Sequence, residues 1–269
     1  MFCDLPIIVR HYLKNNKNDE YMGKNSLTFC FSVKDYQIVT SKNLSQSDWQ
    51  LDETAFLSMV DKRDSFMPAL TFLPPLKRRR LNPTSRLFFQ AAWDLVSDNP
   101  NVPVVYASLN SEINRSFELW ETLLKSGEVS PTSFSLSVHN AMIGQWSEAR
   151  KVTQEMTAIS AQKDSFELAL LEAYLLLSEG HSQVLVAVCE SFLENRFPVA
   201  IKRLPFDYAL CLLIEAGDKF KLTRHTSPIL PADQTQLDNA ILWVNKMAKG
   251  CMDWRSEASN GGCWEWQRN

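Results

Sequence analysis

Six cysteines and four histidines are the side chains most able to act as nucleophiles, bases or metal ligands. The cysteines are Cys3, Cys30, Cys189, Cys211, Cys251 and Cys263, and the histidines are His11, His139, His181 and His225. Neither set contains a CxxC pair or another spacing that is typical of zinc or redox chemistry. The sequence therefore predicts no metal site and no cofactor.

Motifs of nucleotide binding and serine hydrolysis are also absent from the sequence. The eight glycines are scattered and form no GxGxxG phosphate loop. No GxSxG turn, which would place a serine nucleophile at the end of a strand, occurs either. Cys189 closes the apolar run Val184–Val188, and we interpret it as a small buried hydrophobic residue rather than a nucleophile.

Two short segments have unusual compositions. The basic run Lys77-Arg78-Arg79-Arg80 is either a docking patch for an acidic partner or a solvated approach to a helix. The segment Ser130–Asn140 places hydroxyl groups, one histidine and one asparagine between apolar residues. That composition favours a polar-lined cleft wall or a loop with many local hydrogen bonds. The net charge of −3 provides no general basic field for binding nucleic acid.

The composition is that of a globular protein with a large core. The chain has 269 residues, of which 45% are hydrophobic and 22% are charged, so disorder of the whole chain is excluded. No apolar run is long enough to span a bilayer, and residues 1–25 resemble a poorly ordered extension rather than a secretory signal. With widely spaced cysteines, these features predict a reducing, cytoplasmic location.

The apolar pattern predicts the element order βαβαβαββ, typical of a layered α/β domain. The predicted strands are Phe29–Val39, Val102–Leu109, Val152–Ser160, Val184–Val188 and Asp207–Glu215. The predicted helices are Ser85–Ser97, a helix that opens at Asn110 and ends at Gly127, Phe166–Leu177 and Leu237–Met247. The Phe166–Leu177 helix is apolar almost all round, so it must lie between two layers. The pattern of Trp254–Trp266 leaves the fold of this tail unassigned.

Several of these segments resemble one family. Ser130–Asn140 (SPTSFSLSVHN), Gly144–Ser147 and the buried helix are similar to the short "β-ketoacyl synthase, N-terminal-like" family, as are Leu73–Leu81 and Pro103–Ser108. The resemblance covers residues 27–215. It implies the N-terminal half of a thiolase-like (ketosynthase) α/β fold over residues 26–216, with a buried central helix. Residues 217–269 would then be a helical, Trp-rich extension that packs on this half.

The resemblance also implies a role as a partner of an enzyme. Members of the family are described as chain-length-factor-like partners of full-length ketosynthases in type II fatty-acid or polyketide pathways, notably those of aryl polyenes. A ketosynthase carries its nucleophilic cysteine where the third strand turns into the buried helix. Here the corresponding positions are Ile159, Ser160, Ala161 and Gln162. The resemblance places the catalytic histidines in a second half, and we expect that the residues after Glu215 are too few to encode it. We therefore predict a non-catalytic subunit.

By the same resemblance, three surfaces would serve the complex. The strand that pairs with the ketosynthase would comprise Val152, Thr153, Gln154, Glu155, Met156, Thr157 and Ala158. The acyl tunnel would be lined by Ser133, Phe134, Val138 and Met142. The run Lys77 to Arg80 is a candidate docking site for the acyl carrier protein. Two alternatives stay open: an acyl transferase or hydrolase that uses Ser160 with His139, and a purely stabilising subunit.

Overall fold

The computed structural model describes residues 26–193, 197, 204–226 and 235–269. The extension predicted over residues 1–25 lies outside the described residues. The strands are β1 (Ser26–Thr40), β2 (Val104–Ala107), β3 (Met156–Ile159), β4 (Val184–Glu190), β5 (Tyr208–His225), β6 (Asp253–Glu257) and β7 (Cys263–Arg268). The helices are α1 (Glu53–Val60), α2 (Pro75–Arg80), α3 (Pro83–Trp93), α4 (Ile113–Ser126), α5 (Pro131–Ser135), α6 (Ala141–Arg150), α7 (Ser165–Ser178) and α8 (Asn239–Ala248).

The described strands form one mixed seven-stranded sheet. β3, β2 and β4 run parallel, and β4 continues into the antiparallel strand β5. β5 pairs with β1 along one side, while its later residues pair with β7, which in turn pairs with β6. The short parallel strands β2 and β4 consist almost wholly of buried apolar residues, as expected for strands that helices cover on both faces.

Two apolar clusters lie on opposite faces of the sheet. Alternate strand residues point to opposite sides, so Val105 and Ala107 belong to one cluster while Val104 and Tyr106 belong to the other. The first cluster includes α7 and α8, and the second includes α3 and α6. The result is a layered domain with helices on both faces of the sheet.

The apolar helix α7 is buried on two sides, as its sequence predicts. One side packs on the sheet. The other contacts α8 and the β6–β7 hairpin, where the ring of Phe166 stacks on Trp266 at 5.5 Å and meets Trp243 edge-on at 6.2 Å. The C-terminal residues thus cover the side of α7 that a half-domain would otherwise expose.

Several boundaries differ from the predicted ones. The strand predicted over Val152–Ser160 is limited to Met156–Ile159, because Val152 turns into the second apolar cluster. The unassigned tail forms the β6–β7 hairpin, in which buried tryptophans alternate with more exposed residues. Asn82, not Ser85, caps α3, and its side chain accepts the Ser85 N–H at 2.6 Å.

The strand β5 is longer than predicted and runs across residue 216, where the sequence suggested a boundary. Opposite Gly217, β1 departs from regular pairing at Phe31/Ser32. A β-carbon on Gly217 would lie 2.0 Å from Ser32 Oγ, so the close approach of the two strands requires glycine. The pairing resumes at Phe220, which joins the C-terminal hairpin to the same sheet.

Candidate functional site: an edge strand, its turn and the adjacent apolar surface

The strand β3 is an edge of the sheet. Among the described residues only β2 pairs with it, and all four of its residues are half-buried. The carbonyl of Glu155 accepts the N–H of Val104 in β2 at 3.0 Å, and that of Ile159 accepts the N–H of Ser108, directly after β2, at 3.1 Å. Because the main-chain groups of a strand alternate in direction, those of Met156 and Ala158 face the open edge. An open edge of this kind is a template for pairing with another strand.

The side chains of β3 point alternately to the two faces of the sheet and contact the apolar cluster on each face. Met156 and Ala158 pack against the second apolar cluster, and Ile159 packs against the first. Thr157 Oγ1 donates to Glu172 of α7 at 3.2 Å, and burial raises the pKa of this carboxyl group.

Of the seven residues predicted to pair with a ketosynthase, three lie in β3: Met156, Thr157 and Ala158. Val152 is buried, and Thr153, Gln154 and Glu155 precede the strand.

The turn after β3 begins with the exposed Ser160 and leads into a short 3₁₀ helix, residues 162–164, before α7. Gln162 has φ of +52°, a left-handed conformation that non-glycine residues adopt at a cost and that is common at functional sites. Ser165 Oγ closes the turn, since it accepts the Ala161 N–H at 3.0 Å and donates to the Gln162 carbonyl at 2.9 Å. Of the four positions predicted for a vestigial nucleophile, Ser160, Ala161 and Gln162 lie in this turn at the surface, and Ile159 ends β3.

The histidine proposed as a base for Ser160 has another role. His139 Nε2 lies 3.0 Å from the Ile159 carbonyl oxygen, and its ring lies 5.3 Å from that of Tyr106. A carbonyl only accepts, so Nε2 carries the proton and donates it there. The contacts of the described residues include no hydrogen bond between His139 and Ser160. His139 instead ties the 130–140 segment to the end of β3.

The four tunnel candidates have different environments. Phe134 of α5 is 62% exposed, Val138 is also exposed, and Ser133 is half-buried. Met142 of α6 is buried in the second apolar cluster. The side chains of Phe134 and Val138 are thus accessible at the surface, whereas Met142 is part of the core.

The helix α4 extends this exposed apolar surface, and sequence reasoning did not assign it a role. α4 contacts α5. Trp120 is 64% exposed, Leu124 is 80% exposed, and Leu123 is also exposed. The helical spacing of its apolar residues predicted the helix. The strong separation of apolar and polar residues was the one signal in the sequence for an apolar surface here. The apolar side of an amphipathic helix normally packs on something. We call Trp120, Leu123, Leu124, Phe134 and Val138 the apolar patch.

The basic run forms the short helix α2 instead of a lead-in to another helix. Lys77 forms an ion pair with Glu148 at 3.3 Å, and Arg78 donates to the Ala69 carbonyl at 3.1 Å. Arg79 and Arg80 are exposed, and their guanidinium groups have no partner among the described residues. Two cations of the run are therefore available for an acidic partner.

A buried carboxyl group links α7 to the C-terminal residues. Glu167 is fully buried, accepts from Ser256 Oγ at 2.7 Å and accepts from Asn239 Nδ2 at 3.1 Å. Burial raises its pKa to about 8, so the group is mostly protonated at neutral pH.

Other candidate chemistry has no structural support within the described residues. Cys189 is buried, and burial raises the pKa of its thiol well above the usual value, which confirms its interpretation as a hydrophobic residue. The described residues contain no cluster of three or more His, Cys, Asp or Glu side chains that could hold a metal ion. Within the same part of the chain, no helix is both long and apolar enough to cross a membrane.

The strand order, with an edge strand that leads through a tight turn into a buried central helix, defines the N-terminal half of a thiolase-like ketosynthase domain. A profile of the family described as "Beta-ketoacyl synthase, N-terminal domain" matches residues 48–267. The chain belongs to this family. The predicted family and fold class are confirmed. No curated protein sequence matches the chain.

Solved structures with this fold include ketosynthase complexes. One, titled "Ketosynthase (ApeO) in Complex with its Chain Length Factor (ApeC) from Xenorhabdus doucetiae", is similar with a TM-score of 0.75 and 23% identity over 89% of this chain and 100% of the matched chain. "The ishigamide ketosynthase/chain length factor" gives a TM-score of 0.60 and 10% identity over 88% of this chain and 98% of the matched chain. A third structure, AntDE:AntF, is described as a type II polyketide synthase acyl-carrier protein in complex with its ketosynthase. It gives a TM-score of 0.63 and 11% identity over 89% of this chain and 99% of the matched chain.

Proposed function

We propose that the protein is a non-catalytic, chain-length-factor-like subunit that pairs with an active β-ketoacyl synthase in the cytoplasm. The complex would act in a type II polyketide or fatty-acid-like pathway of the aryl polyene kind. The open edge of β3 beside the apolar patch carries this proposal, because together they form a surface suited to a partner chain. The similarity to chains from ketosynthase/chain length factor complexes supports the same role.

The proposal of catalytic inactivity depends on the turn after β3. A Claisen condensation needs a thiolate to hold the acyl chain and histidines to assist decarboxylation. None of the residues Ile159 to Gln162 is a cysteine. Among the described residues no base is hydrogen-bonded to Ser160, and His139 donates its Nε2 proton to a carbonyl. The partner would therefore supply all of the catalytic groups.

The strand β3 would pair with the corresponding strand of the ketosynthase, which would continue one sheet across the heterodimer. The predicted pairing region Val152–Ala158 would contribute mainly through Met156 and Ala158, whose main-chain groups face outward. The apolar patch would be buried in the same interface. Within it, Ser133, Phe134 and Val138 would line the end of the acyl tunnel, so that their sizes limit the length of the chain.

The exposed arginines of α2 would bind the acyl carrier protein, whose acidic surface they complement. Arg79 and Arg80 are the most available members of the run Lys77–Arg80. This site would bring the carrier protein to the complex without any catalytic contribution from the present chain.

The decisive experiment is co-expression with a β-ketoacyl synthase, followed by size-exclusion chromatography with light scattering. We expect a 1:1 complex that forms an acyl-enzyme only on the partner's cysteine. The variant Ala158→Pro removes one outward N–H and should abolish the complex, whereas Ala158→Val should retain it. Absence of a complex would refute the proposal, and acylation of this chain on Ser160 would favour an acyl transferase or hydrolase.

Tunnel control is tested separately with the intact complex. Ser133→Phe should shorten the products, because the larger ring occupies the end of the tunnel. Ser135→Phe, which places the same ring on the exposed side of α5, should leave product length unchanged. If Ser133→Phe leaves both product length and complex formation unchanged, the subunit is purely stabilising.

A further inference from the structure

The C-terminal segment, residues 239–269, holds the turn between β3 and α7. The Asp164 Oδ1 atom accepts two hydrogen bonds from this segment: one from the Ser259 N–H at 3.0 Å and one from the Trp264 indole N–H at 2.7 Å. Asn239 Nδ2 donates to the Lys163 carbonyl at 2.9 Å. These three donors come from α8, from the β6–β7 loop and from β7, so the whole segment converges on the turn.

Further contacts restrict the same turn, although it lies at the surface. Ser259 Oγ donates to the Ala161 carbonyl at 3.4 Å, and the Lys163 ammonium forms an ion pair with Glu257. Gln162, which lies between Ala161 and Lys163, has the left-handed backbone conformation. Such a conformation persists only where the surroundings determine it. Apart from Ser165 of α7, the C-terminal segment provides those surroundings.

We infer that the C-terminal segment is a clamp, which fixes the turn in one conformation through Asp164 and thereby positions β3 for strand pairing. Trp264 is almost fully buried and anchors the Asp164 carboxylate to β7. The Asp164 N–H in turn donates to the Ala161 carbonyl at 3.0 Å, which closes the turn. Asp164 is thus a positioning residue. Only the effect on strand pairing rests on the proposed function, since the clamp itself exists in the isolated chain.

The clamp is tested by hydrogen–deuterium exchange on the full-length isolated protein. In Asp164→Ala, the amides of Ala161, Asp164 and Ser259 should exchange about tenfold faster, the effect of losing a charge-assisted hydrogen bond. Amides of β4 should keep their wild-type rates. Asp164→Asn retains an acceptor oxygen and should restore most of the protection. The exposed Asp98 provides a matched control, and Asp98→Ala should change none of these rates.

Two outcomes would overturn the clamp. Wild-type exchange rates at the turn in Asp164→Ala would show that the C-terminal segment does not fix it. Faster exchange throughout β4 would show that Asp164 acts only on the stability of the whole domain. Trp264→Phe provides a second variant, because it keeps the buried ring and removes the indole donor. It should accelerate exchange at Asp164 and Ser259 in the same way.

The effect on β3 is tested by the affinity for the co-expressed ketosynthase. The dissociation constant should rise about tenfold in Asp164→Ala and return towards the wild-type value in Asp164→Asn. If the exchange rates change and the affinity does not, the clamp does not position β3. If the wild-type chain fails to bind any ketosynthase, the proposed function fails, while the exchange experiment still decides whether the clamp exists.

Discussion

The helices α4 and α7 have the same length, 14 residues each, and opposite environments. α7 has nine buried residues and little amphipathic character, whereas α4 is strongly amphipathic and has none. Sequence pattern therefore predicts where the apolar side of a helix lies, but not which chain covers it. For α7 the cover is the C-terminal segment of the same chain. For α4 no described residue covers Trp120, Leu123 or Leu124, and we assign that role to the proposed partner.

This difference has a physical basis in how each region is held. The cover of α7 combines stacked aromatic rings with a buried polar network, in which Glu167 accepts hydrogen bonds from Ser256 and Asn239 of the same chain. The indole N–H groups of Trp243 and Trp254 are buried in this cover without a partner among the described residues. The apolar patch consists of hydrophobic side chains, and its one side-chain polar group is the indole N–H of Trp120. It can therefore be exposed in the free protein and buried in a complex at little cost in unsatisfied hydrogen bonds, provided that this N–H meets an acceptor.

The largest effect is expected where the cover of α7 is removed. Trp266 stacks on Phe166 and on Trp254, with ring centroids 5.5 and 5.3 Å apart. Trp266→Ala should lower the free energy of unfolding by about 3–5 kcal/mol, as is usual for a buried large-to-small change. Chemical denaturation measures this loss, and Trp266→Phe should lose clearly less. A loss below about 1 kcal/mol would show that the C-terminal segment is not the cover of α7.

The buried network predicts a dependence on pH. Glu167 has a pKa of about 8 in the folded protein and an ordinary value of 4.5. As pH rises through this window, the unfolded chain releases a proton that the folded chain retains, so stability falls. Glu167→Gln does not titrate. Its free energy of unfolding should therefore equal that of the wild type near pH 4 and exceed it near pH 8 by on the order of 4 kcal/mol.

The same measurement needs a control on the same helix. Glu179, at the C-terminal end of α7, is exposed. Glu179→Gln makes the same chemical change at an exposed position and gives the effect of removing a carboxyl group that is not buried. A constant difference between Glu167→Gln and the wild type from pH 4 to pH 9 would mean that the pKa of Glu167 is the same in the folded and the unfolded chain, and would contradict this account.

The turn of the β6–β7 hairpin gives a smaller and more local effect. Gly262 has φ of +78°, and a β-carbon there would lie 2.0 Å from the His225 carbonyl oxygen. Gly261 has φ of +83° with open space around it. Both alanine variants incur the backbone cost, and only Gly262→Ala adds a clash. Gly262→Ala should therefore lower the unfolding free energy by about 2 kcal/mol, and Gly261→Ala by about 1 kcal/mol. Equal losses, measured by thermal denaturation, would contradict this account.

The sequence predicted the elements with simple periodicity. The helix predicted over Phe166–Leu177 is found at Ser165–Ser178, and Gly127 ends α4 with φ of +74°, as predicted. The β6–β7 hairpin was missed, although tryptophans two residues apart and the Asn260-Gly261-Gly262 turn are signals for one. The tail has two glycines and three tryptophans but no long apolar run, which is why its fold was left unassigned.

The candidate site was predictable only in part. The strand-to-helix turn was predictable because the resemblance indicated where the strand ends, and the structure has this turn between Ile159, the last residue of β3, and Ser165. The hydrogen bond from His139 to the Ile159 carbonyl and the clamp at Asp164 join residues 20 and about 100 positions apart. No local pattern encodes such contacts. The exposure of α4 was equally unpredictable. An amphipathic sequence looks the same whether its apolar side packs on the same chain or on another chain.

The smallest effect on stability is expected at the apolar patch. It tests the comparison of α4 with α7 at the helix that is exposed. Leu124→Ser should change the unfolding free energy of the free chain by less than about 0.5 kcal/mol, because the side chain is already exposed to water. The same change should weaken binding to the ketosynthase, since it removes apolar area from the interface. Lys125→Ser, at the exposed neighbouring position, should alter neither quantity.

Denaturation measures the unfolding free energy, and a titration of the two chains measures the affinity. A stability loss typical of a buried leucine would show that this chain covers α4 itself, and unchanged affinity would place α4 outside the interface.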